Sequence, residues 1–242
     1  MNKHLSFKLE GSNVVLVGAY KGVGLVLAKL LLECGANIIL VGKTNKSKMN
    51  AKTVLKKYPS FNKVNFITLN LYKNENHFKL QKKIKTIFPS GVNHMVSFLG
   101  TGKTKFGTVI PTSNWREMFD KNLFSVINLI NNLLPLIKSS NDNKSITITA
   151  AIAGVERVSA PASYSVAKAS LISYSSHLSN ELAKDKIRVN CISPGNIIFK
   201  GGRWEEIIKE KGLKNIKRNI LNNVAFNRLG FAEELAWNYL TI

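Results

Sequence analysis

Six apolar runs of six or seven residues recur along the chain: NVVLVG at 13–18, NIILVG at 37–42, NFITLNL at 65–71, HMVSFLG at 94–100, SITITA at 145–150 and RVNCIS at 188–193. Runs this short, rich in β-branched residues and often closed by glycine, suit strands buried on both faces of a parallel sheet. Between them lie longer stretches with helical spacing of apolar residues, at 23–34, 46–58, 75–87, 114–138 and 163–184. Strand and helix in strict alternation, with crossovers of this size, predict an α/β fold: a Rossmann-type doubly wound parallel sheet of six strands with helices on both faces. No Pro/Gly/Ser-rich linker divides the 242 residues, and 45% hydrophobic content supplies one sizeable core, so a single domain over 1–242 is expected. After the sixth strand the pattern loosens into Lys200-Gly201-Gly202, a basic stretch from Arg203-Trp204 and a helical run at 232–239. Segments in that position commonly cover a ligand crevice at the strands' carboxyl ends.

Composition narrows the function classes. No apolar run approaches the ~18–20 residues that span a bilayer, and the start, MNKHLSFKLEGSN, lacks the apolar core of a secretory signal. Cys34 and Cys191 are the only cysteines, too few for a disulfide framework or a zinc cage, so a cytoplasmic location is expected. The histidines His4, His77, His94 and His177 show no metal-ligand spacing, and no metal is expected. Thirty-five basic against 14 acidic residues give a net charge of +21. A nucleic-acid partner is one explanation, but the cations are mostly lysines scattered over every helix, without arginine-rich or aromatic-interleaved clusters. General lysine and asparagine enrichment is the better account; nucleic acid and membrane are not expected partners.

The sharpest local signal is Gly18-Ala19-Tyr20-Lys21-Gly22-Val23-Gly24, which ends the first strand and opens the first helix. Gly18 permits the tight exit, Gly22 lets backbone approach a pyrophosphate, and Gly24 allows close helix–sheet packing. The helix N-terminus adds free N–H groups and the positive end of its dipole. The first gap is three residues, not the single residue of the commonest dinucleotide fingerprint, and an ordinary βα turn is the alternative. NAD sites usually place a carboxylate after the second strand for the ribose 2′-hydroxyl. This chain has Lys43-Thr44 there. Lys43, with Lys21 in the turn, favours NADP over NAD, solvated surface lysines being the alternative.

In the 163–184 helix, Tyr164 and Lys168 stand four residues apart, on one helical face. A free phenol has a pKa of ~10, too high for efficient acid–base work at neutrality. A nearby ammonium is expected to lower it. The glycine turn, Asn122 in NLFSVINLI, Tyr164/Lys168 and Arg188–Gly195 (RVNCISPG) together resemble the short-chain dehydrogenases/reductases, and more closely their classical subgroup. The resemblance runs from about residue 12 to 237. It implies a nicotinamide cofactor and hydride exchange between a carbonyl and an alcohol. By that resemblance Tyr164 is the general acid, Lys168 its tuner and ribose anchor, and Asn122 the holder of a proton-relay water. It further implies cofactor contacts from Gly18, Tyr20, Lys21, Gly22, Val23, Gly24, Lys43, Asn70 (where an acidic residue often touches adenine) and Gly100. Pro194, Gly195 and Ile197 would orient the nicotinamide.

The chain also departs from that family. The family's serine, thirteen residues before the tyrosine, is Ala151 here. Thr149 shares its strand face but is expected to sit too deep to replace it. The Asn-Asn-Ala-Gly segment has become Ser97-Phe98-Leu99-Gly100, and Phe199 stands where a threonine usually contacts cofactor. A seventh strand is not expected, which leaves the sixth as an edge. Related tetramers use that region for one interface and long helices for another, so a homodimer through 114–138 and 163–184 is expected. Losing one hydrogen-bond donor to the substrate oxygen typically costs ~10²–10³ in rate. Two functions therefore stay open: an NADP-dependent oxidoreductase acting on a small-molecule carbonyl or alcohol, and a catalytically impaired, cofactor-binding regulatory or interaction protein.

Overall fold

The computed structural model describes residues 7–141, 143–219, 222 and 224–242; His4 lies outside them. The strands of the main sheet are β1 (Asn13–Val17), β2 (Asn37–Gly42), β3 (Val64–Thr68), β4 (His94–Ser97), β5 (Lys144–Thr149) and β6 (Ile187–Ile192). They lie in the order β3-β2-β1-β4-β5-β6, every neighbouring pair parallel. This is the doubly wound sheet expected from the alternation. Strand order reverses between β1 and β4, and there the crevice opens.

The period of two in β1 shows how the strands hold two cores apart. Val15 and Val17 join one apolar cluster, Val14 and Leu16 the other, and all four are buried. The first cluster is roofed by α3 (Glu75–Ile87), α5 (Ser125–Lys138) and α6 (Ala162–Leu182); the second by α1 (Gly22–Glu33), α2 (Asn45–Leu55) and α9 (Ala232–Thr241). Each fully buried leucine or isoleucine contributes about 1.5–3 kcal/mol of transfer free energy.

Several boundaries differ from the sequence pattern, each for a local reason. The apolar runs at 65–71 and 94–100 stop pairing at Thr68 and Ser97, because their partners end there: Thr68 is opposite Gly42, and Ser97 opposite Val17. Single bonds carry the chain one residue further, with the Leu69 N–H donating to the Gly42 carbonyl and the Phe98 N–H to the Val17 carbonyl. The helix expected over 114–138 is interrupted. α4 (Thr112–Phe119) passes through a π-helical turn at Asp120–Phe124 into α5. After β6 come β7 (Ile197–Ile198), α7 (Arg203–Lys211), α8 (Leu213–Asn219) and β8 (Gly230–Phe231) before α9. β7 and β8 form a separate parallel two-stranded ladder that periodicity over so few residues does not announce.

β3 is one edge of the sheet and β6, as expected, the other. The Arg188 guanidinium on its outer side donates to the Ile242 carbonyl at the end of α9. α9 packs on α1, and its Tyr239 ring lies 4.9 Å from the Phe98 ring, tilted by 51°. Among the described residues no helix is long and apolar enough to cross a membrane, and no group of three His, Cys, Asp or Glu side chains is placed to hold a metal ion.

Candidate active site

A cleft of about 770 Å³ opens over the carboxyl ends of β1, β2, β4 and β5, within the usual size of ligand sites. Tyr20, Lys43 and Asn70 line one end; Tyr164, Ala151 and Pro194 line the other. Its described lining carries Lys21, Lys43, Lys103, Lys121 and Arg203, and no Asp or Glu. The cleft therefore attracts anions and offers no carboxylate to a ribose diol.

At the glycine turn, Gly18 and Gly22 adopt φ of +78° and +57°, which L side chains enter only with strain. Gly24 gives the close packing expected of it, since a Cβ there would stand 2.7 Å from Ala19 Cα. What approaches Gly22 is the ring of Phe199, whose atoms would meet a Cβ at 2.7–2.8 Å. Lys21 turns the same way and donates from Nζ to the Gly201 carbonyl at 2.5 Å. The segment after β7 is thus fastened down on the turn. Tyr20 is buried against Gly42, its hydroxyl 3.3 Å from Thr68 Oγ1, and burial pushes its phenol up to about 12. It serves as a wall of the cleft.

At the far end four expected residues meet. A Cβ on Gly100 would lie 2.6 Å from Asn122 Oδ1 and 2.9 Å from Lys168 Nζ, so the glycine is what lets them converge. Asn122 is fully buried in the π turn. Its Oδ1 accepts from the Thr101 N–H at 2.9 Å, and its Nδ2 donates to the Thr101 and Met118 carbonyls at 3.0 Å each. Those bonds use both donors and the acceptor of the amide. The side chain pins the loop after β4.

Lys168 Nζ donates to the Thr149 carbonyl at 2.9 Å, and desolvation holds its pKa down at about 8. Nζ lies 6.0 Å from the centre of the Tyr164 ring. The phenol of Tyr164 is not lowered as expected. Burial pushes it up to about 12, because no charge sits close enough to offset desolvation. In this state Tyr164 is a protonated acid.

The substituted positions are equally definite. Ala151 lines the cleft with no hydroxyl. Thr149 does not stand in, since its Oγ1 is 2.7 Å from the Tyr239 hydroxyl of α9. Pro194, Gly195 and Ile197 line the cleft; the Pro194 carbonyl accepts from the Ile152 N–H at 2.8 Å, and Ile197 begins β7. Val23 is buried at the start of α1, and Asn70 Oδ1 accepts from the Tyr72 N–H at 3.3 Å. Tyr72, Lys121 and Tyr239 had no signal of their own in the sequence, because their place at the cleft depends on elements far apart in the chain. An ion pair between Lys103 and Glu206 (2.8 Å) ties the loop after β4 to α7 across the mouth.

Fold and site define a Rossmann-type α/β protein with Tyr164 on the wall of its crevice and Lys168 and Asn122 behind Gly100. Residues 12–201 match the short chain dehydrogenase family, and the chain belongs to that family of oxidoreductases. It is 28% identical over 230 residues to the 3-oxoacyl-(acyl-carrier-protein) reductase of Chlamydia muridarum, covering 94% of this chain and 88% of that one. It is 26% identical over 238 residues to dehydrogenase/reductase SDR family member 4 of Caenorhabditis elegans, covering 95% and 86%. Among solved structures, L-sorbose reductase from Gluconobacter frateurii, complexed with NADPH and L-sorbose, superposes with a TM-score of 0.86 at 24% identity, covering 98% of this chain and 90% of that one. The RhlG/NADP complex of Pseudomonas aeruginosa gives 0.85 at 23% identity, covering 98% and 91%. Both structures share the fold.

Proposed function

We propose that the protein is an NADP-dependent oxidoreductase of the short-chain type, reducing a small-molecule carbonyl. The observation that carries this is the meeting of Lys168 and Asn122 at Gly100, with the Tyr164 ring centre 6.0 Å from Lys168 Nζ, at the inner end of a cleft whose outer end holds Lys43 and no carboxylate. The residues present fit the cofactor. The cleft has the volume, Gly18 and Gly24 make the turn, and lysines stand where a carboxylate would repel a phosphate. Bound NADPH would supply the hydride. Tyr164 then gives its proton to the carbonyl oxygen, a role suited to a phenol that is neutral at pH 7. Lys168, held by Thr149 with its Nζ 6.0 Å from the Tyr164 ring centre, is the anchor for the cofactor ribose, and Asn122 fixes the loop after β4. The relatives are named as reductases of a 3-oxoacyl group and of L-sorbose, both carbonyl compounds, which supports that substrate class.

The same reading takes the chain as one cytoplasmic domain that pairs as a homodimer through the helical segments 114–138 and 163–184. Phe124, at the end of the π turn, and Val166, on α6, are 48% and 44% exposed and would be available to such an interface. A carbonyl panel with NADPH, run beside Tyr164→Phe, tests the activity, and an NADPH-over-NADH thermal shift tests the nucleotide. Turnover no greater than that of Tyr164→Phe refutes the catalytic role. Ala151 favours a second reading, a cofactor-binding protein without turnover; it predicts a thermal shift with NADPH and no activity on any carbonyl.

A further inference from the structure

We propose that Lys121, which no sequence motif singles out, forms with Lys43 a clamp that selects a 2′-phosphorylated adenosine, with the Tyr72 ring as the fixed post between them. The inference rests on the dinucleotide reading above and adds the residues that choose between its two forms.

Three separate elements supply the clamp. Lys43 follows β2, Tyr72 follows β3 and Lys121 lies in the π turn, yet all three line the same end of the cleft. Lys43 Nζ is 5.4 Å from the centre of the Tyr72 ring and Lys121 Nζ is 5.9 Å from it, so no more than about 11 Å separates the two ammonium groups. The electron-rich ring attracts both cations, so each is held against the same aromatic centre despite their mutual repulsion. Tyr72 itself cannot swing. Its hydroxyl donates to the Gly100 carbonyl at 3.2 Å, and its N–H donates to Asn70 Oδ1. Two flexible lysines around a fixed post can close on a phosphate dianion, each as a point charge with three donors.

Lys21, by contrast, is engaged at Gly201 on the other side of the crevice. A cation so held is a poor discriminator at the adenosine end. Lys121 is also held, by an ion pair with Glu117 one turn earlier on the helix, but at an exposed position where a phosphate dianion can outbid a single carboxylate. Glu117 then acts as a brake on the clamp.

The test uses the full chain and isothermal titration with NADPH, NADH, 2′,5′-ADP and 5′-AMP. Lys121→Gln is expected to weaken NADPH and 2′,5′-ADP about tenfold, as is Lys43→Gln, with NADH and 5′-AMP changed less than about twofold. Lys21→Gln is expected to change the NADPH-to-NADH ratio less than either. Glu117→Gln, which releases Lys121, is expected to tighten NADPH about two- to threefold, an effect that a purely structural role for Lys121 would not produce. Thermal midpoints within about 2 °C of wild type show that the variants fold. An unchanged NADPH-to-NADH ratio in Lys121→Gln overturns the clamp while leaving the dinucleotide site standing. Failure of the wild-type protein to bind any of the four nucleotides overturns both.

Discussion

The Phe199 ring fills the space that a side chain at Gly22 would need, its Cδ2, Cε2 and Cζ atoms 2.7–2.8 Å from where a Cβ would sit. The pairing ties the glycine turn to the segment that leads from β7 into α7. It gives Gly22 a packing task that the sequence alone does not announce.

Gly22→Ala should therefore lose on two counts, the left-handed φ of +57° and the collision with Phe199. Together these cost about 2–4 kcal/mol. Phe199→Ala should remove the second and not the first. Chemical denaturation of both single variants and the double variant measures the coupling. Strictly additive losses would mean that the ring moves aside at no cost.

Ala151→Ser restores a hydroxyl on the cleft wall opposite Tyr164. Thr149 cannot provide one while Tyr239 holds its Oγ1 at 2.7 Å. If the carbonyl-reducing reading holds, turnover should rise about 10²-fold, the size of one oxyanion donor, with the substrate KM little changed. Steady-state kinetics on the best substrate of the panel decide it; an equal rate in both proteins means that another donor already serves the oxygen.

Lys168 is kept in the core at a cost. Burial lowers its pKa from 10.5 to about 8, so the unfolded chain binds the proton more tightly than the fold does. The penalty is complete below pH 8 and disappears as pH rises towards 10.5. Lys168→Met should stabilise the protein at pH 7 by about 1–2 kcal/mol, after allowance for the Thr149 carbonyl it leaves unpaired, while abolishing turnover. Denaturation at pH 7 and pH 10 should show the gain shrinking with pH. A variant less stable than wild type at both would mean that the lost hydrogen bond outweighs the buried charge.

How far the sequence carried these conclusions depended on whether a feature was local. Strands such as 37–42 were legible because burial on both faces demands an unbroken apolar run, and Glu75–Ile87 because its apolar residues keep one helical face. Tyr164 and Lys168 were legible because a helix fixes their spacing. The pKa of Tyr164 was not, since desolvation depends on everything packed around it. Nor was the use of the Asn122 amide, which is set by a loop 21 residues away. Phe199 was visibly out of pattern, but only the folded chain shows that it faces Gly22. The β7–β8 ladder left no trace because two residues per strand carry no period.

Acid stability offers a test away from the cleft. His94 begins β4 with Nδ1 2.9 Å from Ser145 Oγ, and burial, helped by the Arg188 charge, holds its imidazole down at about 4. His77, buried on α3, is lowered in the same direction, chiefly by desolvation. A depressed histidine favours the neutral form in the fold, so its contribution is whole above pH 6.5 and is lost as pH falls from 6.5 towards 4. For His94 alone that loss is on the order of 2–3 kcal/mol. His94→Gln, which can still reach Ser145, should flatten the decline between pH 6.5 and 4.5 while leaving NADPH affinity as it was. Urea midpoints across that range measure the slope, and a decline as steep in the variant as in wild type would place the acid-sensitive group elsewhere.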